Sequence, residues 1–251
     1  MHPLRRAARR FGYDLTKLTT GKQPFTYPLD FDDAARAVCS AVEPFTLTRP
    51  ERIGALRDAV HHVVDADVPG AFVECGVWKG GSMMAVALSL KEKGVTDRDL
   101  YLFDTYGPIP QPGSADTDIH GSDAGAAWEA YSEQADYTTQ AEVAANLATT
   151  GYPMDRVHLV AGTVEQTLPG AAPDTIAVLR LDTDYYASTR HELEHLWPRL
   201  SPGGVLVIDD YGHFAGARKA VDEHFPPGSA LLHRVDYTCR VVVKSPRQHD
   251  A

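Results

Sequence analysis

The chain has 251 residues, 43% hydrophobic and 23% charged, which suits one full α/β core and excludes global disorder. A formal net charge of −10 repels phosphate backbones, so nucleic acid is not expected as a partner. No apolar run is long enough to span a bilayer, so no membrane role is expected either. The three cysteines, Cys39, Cys75 and Cys239, show no CxxC or Cys/His metal spacing, which fits a reduced cytoplasmic protein.

The basic start, MHPLRRAARRFGYDL, lacks the apolar core of a secretion signal and suits a short amphipathic helix packed on its own protein or a partner subunit. Residues 1–47 form an N-terminal extension with a loop at TTGKQPFTYP. They are expected to serve a homo-oligomer or a lid. The main domain spans 48–251. A helix starts near Thr48, where Thr48 and Glu51 have capping-box spacing and Pro50 stands in the first turn. Ile53, Leu56, Val60 and Val63 repeat at helical period until Pro69-Gly70 stops the run.

Strands and helices then alternate. AFVEC (71–75) is an apolar strand, 82–91 a helix, and DLYLFDT (99–105) a second strand. A polar stretch over 107–125 is too long and Gly/Pro/Asp-rich for the core, as in functional lid loops. Residues 126–149 are expected to be helical. VHLVAGT (157–163), TIAVLRLDTD (175–184) and GGVLVIDDY (203–211) are three more strands, with helices at 187–200 and 216–225. LLHRVDYTCRVVVKS ends the chain as two strands joined tightly at Tyr237-Thr238, hence antiparallel. The pattern predicts a doubly wound, mostly parallel seven-stranded α/β sheet with a terminal hairpin and helices on both faces.

In such sheets ligands bind beyond the carboxyl ends of the strands. The first strand ends in a Gly-rich turn, Glu74 to Ser82, that is not the GxGxxG of dinucleotide binders. Its candidate cofactor contacts are Glu74, Gly76, Val77, Trp78, Gly80 and Ser82. Glu74 suits a cationic cofactor such as S-adenosyl-L-methionine. Asp104, followed by Thr105, closes the second strand, where an acid accepts hydrogen bonds from ribose hydroxyls or caps the loop. Asp182 and Asp184 end the fourth strand and Asp209 and Asp210 the fifth. Four converging carboxylates would raise each other's pKa without a counter-ion, and a hard cation such as Mg²⁺ resolves this. Arg180, Arg190 and Arg218 are alternative partners, and His213 either touches substrate or caps its loop.

FVECGVWKGGS, DLYLFDT, NLATTGYP, LRLDTDYYASTRHELEHLWPRLSPGGVLVIDDYGHFAGARKAVDEHF and LLHRVDYTCRVVVK resemble the macrocin O-methyltransferase (TylF-type) family from about Thr48 to Lys244. The resemblance implies a class I methyltransferase that uses S-adenosyl-L-methionine and Mg²⁺ on a deoxysugar hydroxyl of a small-molecule glycoside or nucleotide-sugar. It implies that Asp182, Asp209 and Asp210 hold the metal and that Asp184 is the general base, with His213 a further catalytic candidate. Gly162 and Thr163 would approach the adenine, Asp182 would also touch the cofactor, and the Thr48 helix and the 107–125 loop would form the lid. The chain departs from the family in carrying Tyr185 and Phe214 where Trp is common, and Asp104-Thr105-Tyr106-Gly107-Pro108 where the family has DTFEG. Both departures lie at the substrate mouth and leave the acceptor open. Within the same chemistry a catechol-like diol is the alternative acceptor. A silent scaffold has no need of the Asp cluster, and a nicotinamide oxidoreductase lacks its glycine pattern.

Overall fold

The computed structural model describes residues 25–125, 128–129 and 137–245. Seven strands form one sheet: β1 (Ala71–Cys75), β2 (Leu100–Asp104), β3 (Val157–Ala161), β4 (Ile176–Leu181), β5 (Leu200–Ile208), β6 (His233–Arg234) and β7 (Arg240–Val243). Their order is β3-β2-β1-β4-β5-β7-β6. Strands β1 to β5 pair in parallel, while β7 runs antiparallel to β5 and β6 to β7. The sheet expected from the sequence is the one the chain forms. Among the described residues, no helix is long and apolar enough to cross a membrane.

Alternation along the central strands builds a core on each face. Phe72, Val178, Val205 and Val207 face helices α1 (Asp33–Val42), α2 (Pro50–Asp65) and α3 (Gly81–Glu92). Val73, Cys75, Leu179, Leu181, Leu206 and Ile208 face α5 (Val164–Thr167), α6 (Tyr186–Leu196) and α7 (Ala215–His224). The same alternation puts Glu74 and Arg180 on the α1–α3 side, and the β1–β4 register sets them directly opposite each other. A charged pair therefore lies inside the first core, at the end of the sheet where ligands are expected.

Several expectations shift. Thr48 is not the cap of α2: the helix begins at Pro50, its N-cap is Arg49, and the Thr48 hydroxyl accepts a hydrogen bond from Arg180 instead. Helix α1, missed in the sequence, is capped by Asp32 and buries Val38, Cys39 and Val42 in the same core as α2. The helix expected over 126–149 is α4 (Gln140–Ala148), started by a Thr139–Glu142 capping box. Residues 137–139 are non-helical, and most of 126–136 lies outside the described residues. The basic start and most of the loop at 19–28 also lie outside them. Strand β5 begins three residues earlier than expected and stops at Ile208, which leaves Asp209 and Asp210 free at its tip. Helix α6 ends at Leu196, just before Pro198, which cannot continue it.

The close approach of β1 and β4 depends on one glycine. Gly76 has φ +82°, and a Cβ there would collide with the Asp182 carbonyl oxygen. Gly76→Ala is expected to lower stability by about 2–4 kcal/mol through strain and overlap. A urea midpoint equal to that of the wild type would contradict this.

Candidate active site

The tips of β1, β4 and β5 meet around a single guanidinium. Arg180 is buried, and its Nη1 donates to Glu74 Oε1 at 2.7 Å and to Asp182 Oδ2 at 2.8 Å. Its Nη2 donates to Thr48 Oγ1 at 3.1 Å and lies 3.0 Å from Asp209 Oδ1. A second guanidinium, Arg52 of α2, reaches Asp209 Oδ2 with Nη1, and its Nε lies 3.2 Å from Asp236 Oδ2 in the β6–β7 turn. Of the arginines near these acids in sequence, only Arg180 serves them, since Arg218 pairs with Asp222.

Asp182, Asp209 and Asp210 each offer one carboxylate oxygen, and these oxygens lie within 4.8 Å of one another. Loss of bulk water pushes Asp182 well above the usual carboxylate range against the pull of Arg180, with Asp209 and Asp210 adding to the rise. Burial and the charges of Asp184 and Asp209 do the same to Asp210. Asp184 is pushed up to about 7 by burial and by Asp182. Its backbone is left-handed at φ +67°, and its N–H donates to Asp210 Oδ2 at 3.1 Å. Three carboxylate oxygens this close to one another, from Asp182, Asp209 and Asp210, form a donor set that fits a hard divalent cation.

A cavity of about 820 Å³ opens above these acids. Gly76, Val77, Trp78, Ser82, Asp104, Thr105, Gly162, Thr163, Asp182, Asp184, Asp209, Asp210 and His213 all line it. Glu74 and Gly80 do not. Glu74 lies beneath the floor with no exposed surface, because the register turns it toward Arg180, whose guanidinium donates to it. Gly80 is the left-handed N-cap of α3. Asp104 ties the turn after β1 to its own turn. Its Oδ2 accepts the Val77 N–H at 2.6 Å and the Trp78 N–H at 3.2 Å, and its Oδ1 accepts the Tyr106 N–H at 2.8 Å. The Thr105 hydroxyl lies 3.4 Å from the same Oδ1. The His213 N–H caps the Asp210 carbonyl at 2.9 Å, and its Nδ1 lies 3.2 Å from the Tyr237 hydroxyl.

The 107–125 loop forms one wall of the cavity. Buried Asp116 ties it down: Oδ1 accepts the Tyr186 N–H at the start of α6, and Oδ2 accepts the Gly113 N–H. Gly216 on α7 leaves room for this carboxylate, where a Cβ would collide with it. The Ala215 N–H also donates to the Thr117 carbonyl at 2.8 Å.

The family model described as Macrocin-O-methyltransferase (TylF) matches residues 13–241. The chain belongs to the macrocin O-methyltransferase family. It is 36% identical over 179 residues to the 8-demethyl-8-(2,3-dimethoxy-alpha-L-rhamnosyl)-tetracenomycin-C 4'-O-methyltransferase of Streptomyces olivaceus, covering 71% of this chain and 67% of that protein. It is 35% identical over 180 residues to the mycinamicin III 3''-O-methyltransferase of Micromonospora griseorubida, covering 71% and 69%. The solved O-methyltransferase NovP superposes with a TM-score of 0.71 at 30% identity, covering 80% of this chain and 82% of that one. The calicheamicin methyltransferase CalS11 shares the fold, with a TM-score of 0.59 at 17% identity over 91% and 99% of the two chains. This member of the family is thus an S-adenosylmethionine-dependent O-methyltransferase on the class I fold.

Sequence reasoning missed Arg52, Asp116, Asp236 and Glu192. Only Glu192 left a usable signal, since it stands on the stripe Thr189, Glu192, Leu193, Leu196 that α6 buries. Burial pushes its carboxyl up to about 8 against a hydrogen bond from Thr183, with Glu165 nearby adding to the rise. A free glutamate carboxyl ionises near 4.5. Between these values the folded methyltransferase keeps a proton that the unfolded chain has lost, so stability falls as pH rises across that window. Glu192→Gln should flatten this slope and leave the protein more stable than wild type at pH 8, by roughly 2 kcal/mol or more. Urea midpoints taken from pH 5 to 8 test this, and parallel slopes for the two proteins would refute it.

Proposed function

We propose that this enzyme is a Mg²⁺-dependent methyltransferase for a deoxysugar hydroxyl of a finished, uncharged glycoside. The observation that carries the reading is the trio Asp182, Asp209 and Asp210, which offers convergent oxygens at the floor of the cavity beside Asp184. These three residues would hold the ion. When bound, it would supply Lewis-acid stabilisation of a developing alkoxide.

The chain's own groups do the rest. A sugar hydroxyl is far too weak an acid to ionise unaided at neutral pH, so a nearby base is needed, and an Asp184 carboxylate oxygen receives its proton. The turns at Gly76–Trp78, Asp104–Thr105 and Gly162–Thr163 hold the methyl donor on one side. The 107–125 loop, Tyr185 and Phe214 hold the acceptor on the other, so that the attacking oxygen lines up with the methyl group. The same loop excludes water as a lid.

Charge supports a glycoside over a nucleotide-sugar. Among the described residues lining the cavity, Arg52 is the sole lysine or arginine, and it is already engaged by Asp209 and Asp236. Apart from the proposed ion, a diphosphate would meet no unengaged lysine or arginine among these lining residues. The tetracenomycin and mycinamicin relatives carry glycoside substrates in their names, which agrees with this choice.

Three outcomes test the proposal. The double substitution Asp209→Asn with Asp210→Asn should cut turnover by about 100-fold or more while the affinity for S-adenosylmethionine, read by calorimetry, stays within about threefold. Turnover at the wild-type rate would remove the metal from the reaction. Asp184→Asn should lower kcat by about 100-fold or more with Mg²⁺ affinity preserved, and an unchanged kcat would remove Asp184 as the base. In an acceptor screen, a neutral deoxysugar glycoside should exceed the matching nucleoside-diphosphate sugar in kcat/KM by about tenfold or more. The reverse order would reject the finished glycoside.

A further inference from the structure

Behind the tip of β4 stands a group that the chemistry above does not use. Glu192 has no exposed surface and sits on α6 among Thr189, Leu193 and Leu196, all buried. Its Oε1 accepts a hydrogen bond from Thr183 Oγ1 at 2.9 Å. Its Oε2 is buried without a hydrogen-bond partner. A leucine would fill the same space without this unsatisfied oxygen, so stability alone does not account for a carboxyl here.

Its one partner is the residue between Asp182 and Asp184. Thr183 is β-branched, so fixing one arm fixes the other. Its hydroxyl is taken by Glu192. Its methyl packs over the first turn, where a Cβ added at Gly76 would stand 3.4 Å from Thr183 Cγ2. Its carbonyl accepts the Tyr185 N–H at 2.8 Å and the Ser188 hydroxyl at 3.3 Å. The peptide that follows then enters the left-handed Asp184 conformation. The directions in which Asp182 and Asp184 leave the strand are therefore set at Thr183, and Thr183 is set from behind by Glu192. Burial keeps that acid neutral at pH 7, since its carboxyl is pushed up to about 8, so it braces the acidic tips without adding another negative charge to them.

We propose that Glu192 is a positioning residue for the metal site, holding the Asp182–Asp184 turn through the Thr183 hydroxyl in the arrangement that binds Mg²⁺. The proposal rests on the reading of Asp182, Asp209 and Asp210 as the Mg²⁺ site. Groups that orient ligands from behind commonly change metal affinity by about 10–100-fold when removed. A group that only fills the core would change stability and leave affinity alone.

The test is calorimetric titration of the full-length enzyme with MgCl₂, paired with thermal melts and titration with S-adenosylmethionine. Wild type is compared with Glu192→Leu, Glu192→Gln and Thr183→Val. Glu192→Leu should bind Mg²⁺ about tenfold or more weaker, melt at or above the wild-type temperature, and hold the methyl donor as wild type does. Glu192→Gln, whose amide oxygen still accepts from Thr183, should keep Mg²⁺ affinity within about threefold. Thr183→Val removes the donor at nearly constant volume and should reproduce the leucine result, which keeps the test decisive if Glu192→Leu does not fold. A folded Glu192→Leu or Thr183→Val enzyme with wild-type Mg²⁺ affinity overturns the brace and leaves the metal reading standing. A wild-type enzyme that binds no Mg²⁺ overturns both.

Discussion

The structure depends on one buried cation. Arg180 touches Glu74 on β1, Asp182 beyond β4, Asp209 beyond β5 and Thr48 ahead of α2. Four separate stretches of chain are thereby fixed at one point. Parallel strands bring their tips together by topology, but acids at those tips repel one another. A guanidinium is suited to hold them, because it stays charged when buried and presents several donors in a rigid plane. Removing it would leave Glu74 and Asp182 unpaired and Asp209 held by Arg52 alone, around an empty space, which is far worse than an apolar core at that spot.

Arg52 extends this arrangement outward. It links Asp209 to Asp236, so the first turns of α2 and the β6–β7 hairpin are joined to the floor of the site. The Asp236 Oδ1 in turn accepts the Thr238 and Cys239 N–H groups at 2.9 and 2.8 Å, which shapes the hairpin turn. Helix α2 is thus held to the acidic floor by a salt bridge as well as by its apolar face, and the hairpin at the far edge of the sheet belongs to the active site.

What could be read from the sequence follows from how local each signal is. The strands of the central sheet show as short apolar runs, and the acids Asp182, Asp184, Asp209 and Asp210 mark their ends, so the fold and the acidic floor were both legible. Glu74 was read from its place at the strand end, but only the strand register reveals that it faces Arg180. The Thr48 cap failed for a similar reason: a hydroxyl with capping spacing was claimed by a long-range donor instead. Helix α1 was legible but passed over inside a polar extension: Asp32 is a good cap, and Ala35, Val38, Cys39 and Val42 follow at helical spacing. Asp116, Asp236 and Arg52 act across the fold, and no spacing in the chain announces such partners.

The tether at Asp116 divides the cavity wall by anchoring. The 107–125 loop is pinned to the starts of α6 and α7, whereas the turns at Gly76 and Asp104 are bonded to each other on the opposite side. Residues between the pins are held apart from the Val77 and Trp78 bonds to Asp104, which tie the opposite wall together. On the proposed function the enzyme is modular: the same reaction would be carried to a new acceptor by exchanging one surface segment, with Asp116 and Gly216 kept to anchor it.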